Sequence, residues 1–208
     1  YVRVKLAASL DGRTGMANGE SKWITSEAAR ADVQKWRARS SAILTGVGTV
    51  LADDPSLNVR DFKTGRQPLR VVLDSRLRMP PKARILRNEG KTLIVTASGD
   101  AALAETLKKA GAEVAHISTP EKNVDLAALL KHLAWLEVNE VLVEAGATLC
   151  GALLRAGLVD ELVLYYAPHV MGSAERGMFA LPPLLRMSDR VNVEITDTRA
   201  IGKDWRVI

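Results

Sequence analysis

The first half of the chain alternates between short apolar runs and polar, glycine-containing loops. Residues 2–6 alternate apolar and polar side chains before Asp11-Gly12, which predicts a strand that runs into a turn. Apolar residues at helical spacing follow Thr25 and Ser26, which predicts a helix to about Arg39 that one of these two residues caps. Unbroken apolar runs predict three strands that are covered on both faces: residues 42–45, 69–73 and 92–95.

The second half repeats helix and strand in turn. Asp100, Asp125 and Thr148 each precede apolar residues at helical spacing, and we predict that they are the N-caps of three helices. Further apolar runs predict strands at residues 114–117, 140–144 and 162–166. Residues 190–199 and 204–208 predict a closing antiparallel pair. The whole pattern predicts one α/β domain of 208 residues, with a largely parallel central sheet and helices on both faces.

Composition indicates the cellular compartment of the protein and the kinds of site that it lacks. The single cysteine, Cys150, cannot form an intramolecular disulfide, so we expect a reducing compartment and a cytoplasmic location. His116, His132 and His169 are scattered along the chain, so no metal site is predicted. No apolar run has the length of a membrane span, and no signal peptide opens the chain. The start at Tyr1 without an initiator Met is what we expect of a domain cut from a longer protein or of a processed protein.

The net charge of +5 is compatible with two kinds of anionic partner. One is nucleic acid, but the basic residues form no block and aromatic residues make up only 4% of the chain. The other is a small polyanion such as a phosphorylated substrate with a phosphorylated cofactor, and we favour it. A solvated basic surface accounts for most of these charges in either case.

Three segments lie where ligands of parallel α/β sheets bind, beyond the carboxyl ends of predicted strands. Residues 46–49 (GVGT) and 144–149 (EAGATL) are strand–glycine–helix junctions, where backbone amides can approach a phosphate. Each could equally be a tight turn, and neither matches G-x-G-x-x-G followed by an acidic residue. In residues 73–76 (LDSR), Ser75 and Arg76 could hold a 2′-phosphate or could form a turn with a solvated arginine, and the sequence alone favours the turn.

Motifs in a fixed order along nearly the whole chain carry a family resemblance. They are residues 4–12 (VKLAASLDG), 21–25 (SKWIT), 46–57 (GVGTVLADDPSL), 67–74 (QPLRVVLD), 143–146 (VEAG) and 158–168 (LVDELVLYYAP). The chain resembles the reductase domain of the bifunctional riboflavin biosynthesis deaminase/reductase, in its enterobacterial form. This resemblance implies a dihydrofolate reductase-like fold. It also implies that the chain reduces 5-amino-6-(5-phosphoribosylamino)uracil to 5-amino-6-(5-phosphoribitylamino)uracil with NADPH, by hydride transfer to C1′ of the ribose.

The resemblance implies three catalytic residues, Lys5, Asp53 and Glu144. Lys5 would donate to a ribose oxygen, and Asp53 or Glu144 would bind the uracil or the ribityl hydroxyls, or relay a proton. Each position also has a purely structural interpretation. Lys5 could be an exposed strand lysine, Asp53 a turn cap, and Glu144 a carboxylate at a helix N-terminus.

The same resemblance implies residues that bind substrate and cofactor. The substrate residues are Ser21, Arg37, Leu57, Arg60 and Glu144, with the two arginines as phosphate clamps. The cofactor residues are Ala7, Trp23, Gly46, Thr49, Asp53, Ser75, Gly146, Ala147 and Thr148. The family often has Gly-Gly where this chain has Ala145-Gly146, which puts the backbone approach to the cofactor in question there.

The resemblance also defines the expected partners and the competing functions. The chain lacks the His-x-Glu and Pro-Cys-x-x-Cys zinc signature of the deaminase half, so we expect that half to be a separate domain of the parent protein. We further expect a homo-oligomer, with no nucleic-acid or membrane partner. Two alternatives stay open: a reductase of the not-yet-deaminated diaminopyrimidine, and a non-catalytic nucleotide- or RNA-binding module.

Overall fold

A computed structural model describes residues 1–173 and 176–208, and this part of the chain contains five α-helices and nine strands. The helices are α1 (Glu27–Arg39), α2 (Val47–Asp53), α3 (Ala101–Lys109), α4 (Leu126–Trp135) and α5 (Ala147–Arg155). The strands are β1 (Val2–Ser9), β2 (Ala42–Gly46), β3 (Leu69–Leu73), β4 (Thr92–Thr96), β5 (Glu113–His116), β6 (Val141–Val143), β7 (Glu161–Ala167), β8 (Thr198–Ile201) and β9 (Asp204–Val207). None of the described helices is long and apolar enough to cross a membrane.

The chain divides into two compact units, of which the first comprises Tyr1 and Gln34–Glu144. Its strands lie in the order β5-β4-β3-β2-β6, and all of them run parallel. Ile43 and Ile94, on β2 and β4, are fully buried and share one apolar cluster with Val50 of α2 and Leu107 of α3. Helices packed on buried strands of this kind hold the carboxyl ends of the strands at one edge of the sheet.

The second unit comprises Val2–Val33 and Ala145–Ile208, and its strands lie in the order β1-β7-β9-β8. β1 and β7 are parallel, whereas β9 pairs antiparallel with both β7 and β8. The Arg206 guanidinium donates to Asp32 at 2.8 Å, and the Tyr165 hydroxyl donates to the same carboxylate at 2.7 Å. Since these groups are largely buried, their network ties α1 to β7 and β9.

The predicted α/β fold is confirmed, with largely parallel strands and an antiparallel C-terminal pair. Capping residues in the sequence correctly predicted where two of the helices begin. The Asp100 and Asp125 carboxylates accept hydrogen bonds from the backbone N–H groups of Leu103 and Ala128, at 3.0 and 2.9 Å. Both predicted N-caps are therefore confirmed.

The predicted N-cap at Thr148 is wrong, because α5 begins one residue earlier, at Ala147. Gly146 occupies the cap position with an extended backbone, at φ −77° and ψ 172°, and no side chain caps the helix. The Gly146 carbonyl accepts from the Cys150 N–H at 3.2 Å and so closes the first turn. Glycine is one of the residues that helices accept at the N-cap.

The predicted strand at residues 190–199 is also largely wrong, since only its end belongs to β8. The four residues of β8 pair with all four residues of β9, from Thr198 opposite Val207 to Ile201 opposite Asp204. No residue of β9 therefore remains to pair with residues 190–195. Their apolar and polar side chains still alternate, but the alternation has no strand beside it in the described chain.

Gly151 of α5 packs against backbone, and we expect Gly151→Ala to lower the free energy of unfolding by about 2 kcal/mol. A Cβ atom at this position would lie 2.4 Å from the carbonyl oxygen of Ala180. The backbone N–H of Ala180 donates to the carbonyl of Ala147, in the first turn of the same helix, at 3.0 Å. Urea unfolding measures the loss. The matched control is Gly48→Ala in α2, where a Cβ meets nothing within 4 Å. An equal effect of the two substitutions would contradict the close approach.

Candidate active site

Three strands of the first unit bring predicted site residues to one edge of its sheet. Gly46, the last residue of β2, lies opposite Leu73 at the end of β3, and the Ser75 turn follows. Glu144 follows β6, and its backbone N–H donates to the Leu44 carbonyl at 2.9 Å. Because the strands are parallel, Gly46, Ser75 and Glu144 all lie at the carboxyl edge, where ligands of α/β sheets bind.

The Glu144 carboxylate forms a bidentate ion pair with Arg37 of α1. The Arg37 Nε donates to Oε1 at 2.6 Å, and its Nη2 donates to Oε2 at 3.0 Å. Both side chains are only 11% exposed. Burial acts to lower the pKa of Arg37, but the charge and hydrogen bonds of Glu144 outweigh it and raise the pKa above its ordinary value. The pair therefore fixes the orientation of a buried carboxylate at the sheet edge.

The two arginines predicted as phosphate clamps have different surroundings. The third nitrogen of the Arg37 guanidinium donates to the carbonyl of Asn58 at 3.1 Å, so all three nitrogens are engaged within the protein. Arg60 is 51% exposed, and its nearest acid is Asp61 at 3.8 Å. Arg60 can therefore reach an incoming phosphate, whereas Arg37 would first have to leave Glu144.

The chain after α2 is held in an unusual backbone conformation. Asp53 is the last residue of α2 and is half-buried, and Asp54 then takes a left-handed conformation with φ 41°. Leu57 has φ 45° although its side chain is buried in the apolar cluster. Non-glycine residues rarely adopt this region, and such strain tends to occur at functional sites. This conformation supports a role for the Leu57 backbone rather than for its side chain.

A turn after β3 shapes an open pocket of about 250 Å³. Asp74 is fully buried, and its carboxylate accepts from the backbone N–H groups of Met79 at 2.7 Å and Arg76 at 3.4 Å. This Asx-type turn holds Ser75 and Arg76 at the pocket. The lining residues are Val47, Leu73, Ser75, Arg76, Arg78 and Asn123. Two guanidinium groups, a hydroxyl and an amide suit a phosphate ester.

In the second unit, Lys5 and Ala7 occupy the same face of β1. Both are half-buried, in contrast to the buried Val4 and Leu6 on the other face. The charge of Lys5 acts on the Cys150 thiol of α5: burial raises the pKa of Cys150 to about 12, and Lys5 opposes that shift. Lys5 is thus not the fully exposed strand lysine of the structural alternative.

The loop after β1 carries Ser21 and Trp23. Ser21 is half-buried, whereas the Trp23 ring is 68% exposed and the Arg30 guanidinium lies 4.5 Å from its centroid. Arg30 in turn donates to the Thr25 carbonyl at 2.8 Å. The cation holds the indole from one side, so Trp23 has the geometry of a flat, partly exposed contact surface rather than of a core anchor.

Asp11 anchors this loop. Its carboxylate accepts from the Ser9 hydroxyl and from the backbone N–H groups of Met171 and Gly172, at 3.1 and 2.8 Å. The Ser9 hydrogen bond, with those of Gly172 and Met171, lowers the pKa of Asp11 from 3.8 to about 2. A carboxylate with these contacts holds the start of the loop in place.

We expect the Asp11 anchor to persist in acid well below the ordinary pKa of an aspartate. Since the folded pKa lies below the unfolded value of 3.8, the stabilisation is present above that value and is lost as the pH falls through about 2. The amide resonances of Met171 and Gly172 should therefore titrate with a midpoint near pH 2. In Asp11→Asn this titration should vanish. A midpoint near the ordinary value would contradict the anchor.

Gly146, Ala147 and Thr148 form the start of α5, and no side chain caps it. A Cβ at Gly146 would meet nothing within 4 Å, so its backbone is open to an approaching group. Uncapped N–H groups at the start of a nine-residue helix favour an anion. In the first unit, Thr49 lies in the first turn of α2, directly after Gly46 and Val47.

Sequence reasoning missed several residues of these sites. Asp74 stood inside a predicted segment, and an aspartate directly after a strand is a signal for an Asx turn. The role of Arg37 as the partner of Glu144 had no local signal, because the two residues are 107 positions apart. Asn123 lies in the loop before α4, and nothing in its local sequence indicates a pocket.

Comparison with known proteins identifies the family. Residues 1–207 match the model of the RibD C-terminal domain family. The chain belongs to this family. The resemblance inferred from the motifs is therefore confirmed.

Relatives of the RibD C-terminal domain cover the chain almost completely. RibD of Escherichia coli K12, a riboflavin biosynthesis protein, is 44% identical over 98% of this chain, which spans 58% of that protein. A Buchnera aphidicola (subsp. Acyrthosiphon pisum) protein named 5-amino-6-(5-phosphoribosylamino)uracil reductase is 37% identical over 93% of this chain and 97% of its own length. The structure of Acinetobacter baumannii RibD, form 1, superposes with a TM-score of 0.88 at 41% identity and covers 100% of this chain and 56% of that one. The chain thus spans a little more than half the length of RibD proteins.

Proposed function

We propose that this RibD C-terminal domain reduces 5-amino-6-(5-phosphoribosylamino)uracil to its ribitylamino product with NADPH, in riboflavin biosynthesis. The observation that carries the proposal is the similarity to the Buchnera reductase, because this chain covers 97% of a protein named for that reaction alone. On this basis, residues 1–208 are proposed to act as one reductase domain.

Glu144 is the proposed polar centre in the first unit. Arg37 holds both oxygens of the carboxylate, which remain available as acceptors for a second donor such as a uracil N–H or a ribityl hydroxyl. The bidentate contact fixes the plane of the carboxylate before the substrate arrives. Such preorganisation supports binding in a single orientation. Arg37 is then a positioning residue for Glu144, and the exposed Arg60 is the proposed phosphate clamp.

The pocket beside Ser75 is the proposed site of the 2′-phosphate of NADPH. Arg76 and Arg78 supply two cations, and Ser75 and Asn123 supply uncharged donors. When bound, the nicotinamide supplies the hydride, and the protein groups bind and orient the reactants. Gly46 and Thr49 of the same unit are proposed backbone and hydroxyl contacts of the cofactor.

The remaining assignments are proposals that rest on the family motifs and on local geometry. Lys5, half-buried on β1, is proposed to donate to a ribose oxygen, and Asp53 to bind a hydroxyl or relay a proton. Ser21 is proposed to contact the substrate, together with the backbone of Leu57. The proposed cofactor contacts outside the Ser75 pocket are Ala7, Trp23, Asp53, Gly146, Ala147 and Thr148.

A direct assay tests this function. The purified chain should oxidise NADPH when 5-amino-6-(5-phosphoribosylamino)uracil is added, and the product should carry the ribityl chain by mass spectrometry. The not-yet-deaminated diaminopyrimidine serves as the competing substrate. Activity on the diaminopyrimidine alone would contradict this proposal and support the alternative, in which reduction precedes deamination. Absence of NADPH oxidation with both compounds would contradict the reductase function.

A deaminase domain is the proposed covalent partner, since the chain spans a little more than half of the RibD proteins it matches. A cytoplasmic location is proposed with it, in agreement with a single buried cysteine that forms no disulfide. A crystal structure with NADPH would test the proposed contacts of Lys5, Asp53 and Glu144.

A further inference from the structure

The motif at residues 67–74 supplies a second contact in the first unit besides the turn at Asp74. Its first residue, Gln67, lies two residues before β3 and is half-buried. The Gln67 side-chain amide pairs with both backbone groups of Val59. Its Oε1 accepts from the Val59 N–H at 2.9 Å, and its Nε2 donates to the Val59 carbonyl at 2.9 Å. A side chain thus takes the place of a neighbouring strand for this residue.

Val59 lies in segment 56–60, which carries the proposed substrate contacts Leu57 and Arg60. Within the described part of the chain, this segment makes no hydrogen bond from backbone to backbone. Leu57 and Val59 are nevertheless buried, whereas Arg60 is exposed. Since buried backbone groups need partners, the conformation of this segment depends on side chains of other parts of the chain.

Four side chains from outside segment 56–60 hold its backbone, one residue at a time. The bonds join Asn88 to the carbonyl of Ser56 at 3.4 Å, Arg37 to the carbonyl of Asn58 at 3.1 Å, Gln34 to the N–H of Arg60 at 3.3 Å, and Gln67 to both groups of Val59. Gln67 makes the two shortest of these bonds. It is therefore the side chain whose loss should release the segment most.

Gln67 itself rests on the turn at residues 88–90. A Cβ atom at Gly90 would lie 3.0 Å from the Gln67 Cβ, so a side chain there would crowd the glutamine. Arg70 of β3 is fully buried and donates to the carbonyls of all three turn residues, at 3.2, 2.7 and 2.5 Å. The motif thus supplies both Gln67 and the arginine that fixes the turn beside it.

We propose that Gln67 is a positioning residue of the substrate site, which acts by holding segment 56–60 in its binding conformation. The inference rests on the proposed reductase function, which assigns Arg60 to the substrate phosphate and the Leu57 backbone to the substrate. A segment that is held before the substrate arrives loses little conformational entropy on binding. Gln67 makes no contact with the substrate and lowers KM through the residues that do.

Gln67→Met tests this role, because methionine keeps the length of the side chain and removes both hydrogen bonds to Val59. We expect KM for 5-amino-6-(5-phosphoribosylamino)uracil to rise about 10-fold, the scale of two neutral hydrogen bonds, and kcat to stay within about twofold. The matched control is Thr64→Val, which removes a hydroxyl that bonds to the backbone of Arg66, outside the segment. This control should change neither constant. An unchanged KM in folded Gln67→Met would overturn the positioning role, as would a loss confined to kcat.

A double-mutant cycle tests whether Gln67 acts through Arg60. Arg60→Gln removes the proposed phosphate clamp, so release of segment 56–60 should matter less in that background. Gln67→Met should then raise KM by no more than about threefold. Full multiplication of the two effects on KM would overturn the route through Arg60.

Hydrogen exchange separates this inference from the reductase function. The Val59 amide should exchange about 10-fold faster or more in Gln67→Met than in wild type, because its acceptor is lost. The amide of Val71, fully buried on β3, should exchange at the wild-type rate and shows that the variant is folded. An unchanged rate at Val59 would overturn the hold on the segment. A chain that oxidises no NADPH would contradict the reductase function instead, and the rate at Val59 would still decide whether Gln67 holds the segment.

Discussion

Replacing Glu144 by glutamine is expected to lower kcat for the proposed reduction by about 100-fold or more, the scale of a lost acid–base or positioning group. A glutamine amide presents one acceptor oxygen, and its NH2 group would face the Arg37 guanidinium, so the bidentate geometry at 2.6 and 3.0 Å is lost. The arginine would also remain charged in a site that is only 11% exposed. We therefore expect a loss of stability of about 3 kcal/mol as well, so kcat must be measured where the variant is folded.

A double-mutant cycle separates the two possible roles of Arg37. If Arg37 acts through Glu144, Arg37→Gln lowers kcat by a similar factor, and the double variant is no worse than Glu144→Gln. If Arg37 instead clamps the substrate phosphate, Arg37→Gln raises KM. The effects of Arg37→Gln and Glu144→Gln on kcat/KM then multiply in the double variant. Arg60→Gln is the comparison, since loss of the exposed clamp should raise KM and leave kcat nearly unchanged. A folded Glu144→Gln enzyme with wild-type kcat would contradict the role of the pair.

Arg76→Ala is expected to lower kcat/KM for NADPH by about 10- to 100-fold and to leave kcat/KM for NADH unchanged. The reason is that a charge-assisted hydrogen bond contributes about 1.5–3 kcal/mol, and only NADPH carries the 2′-phosphate that Arg76 would bind. Steady-state kinetics with both cofactors measures the ratio. Arg66→Ala, an exposed arginine outside the Ser75 pocket, is the control and should change neither value. Equal losses of kcat/KM with NADPH and NADH would contradict the proposal that this pocket binds the 2′-phosphate.

The fold was predictable wherever local chemistry decides the structure. Asp100 and Asp125 cap helices because a carboxylate directly before an apolar helical pattern satisfies free N–H groups. At residues 146–148 the same reasoning failed, because both a glycine and a threonine could begin the helix. In the structure Gly146 occupies the cap position, and Gly151 of the same helix lies close to the backbone of Ala180. Such tertiary contacts leave no trace in a short stretch of sequence.

The candidate site was predictable as an edge of the sheet, but not in its pairings. Gly46, Ser75 and Glu144 follow three apolar runs, and parallel strands bring such ends together. The pairing of Arg37 with Glu144 spans 107 positions and depends on where α1 lies. The alternation of apolar and polar side chains at residues 190–195 predicted a strand. What the sequence could not reveal is that no strand within residues 1–173 and 176–208 pairs with it.

The environment of Cys150 makes it an intrinsic reporter of local opening. It is the only cysteine in the sequence, its side chain is fully buried, and burial raises the pKa of its thiol to about 12. An alkylating reagent can therefore react only when α5 separates from its surroundings and exposes the sulfur. The alkylation rate in the folded protein then measures the free energy of that opening without an introduced label. A bound cofactor that contacts the start of α5 should slow this reaction.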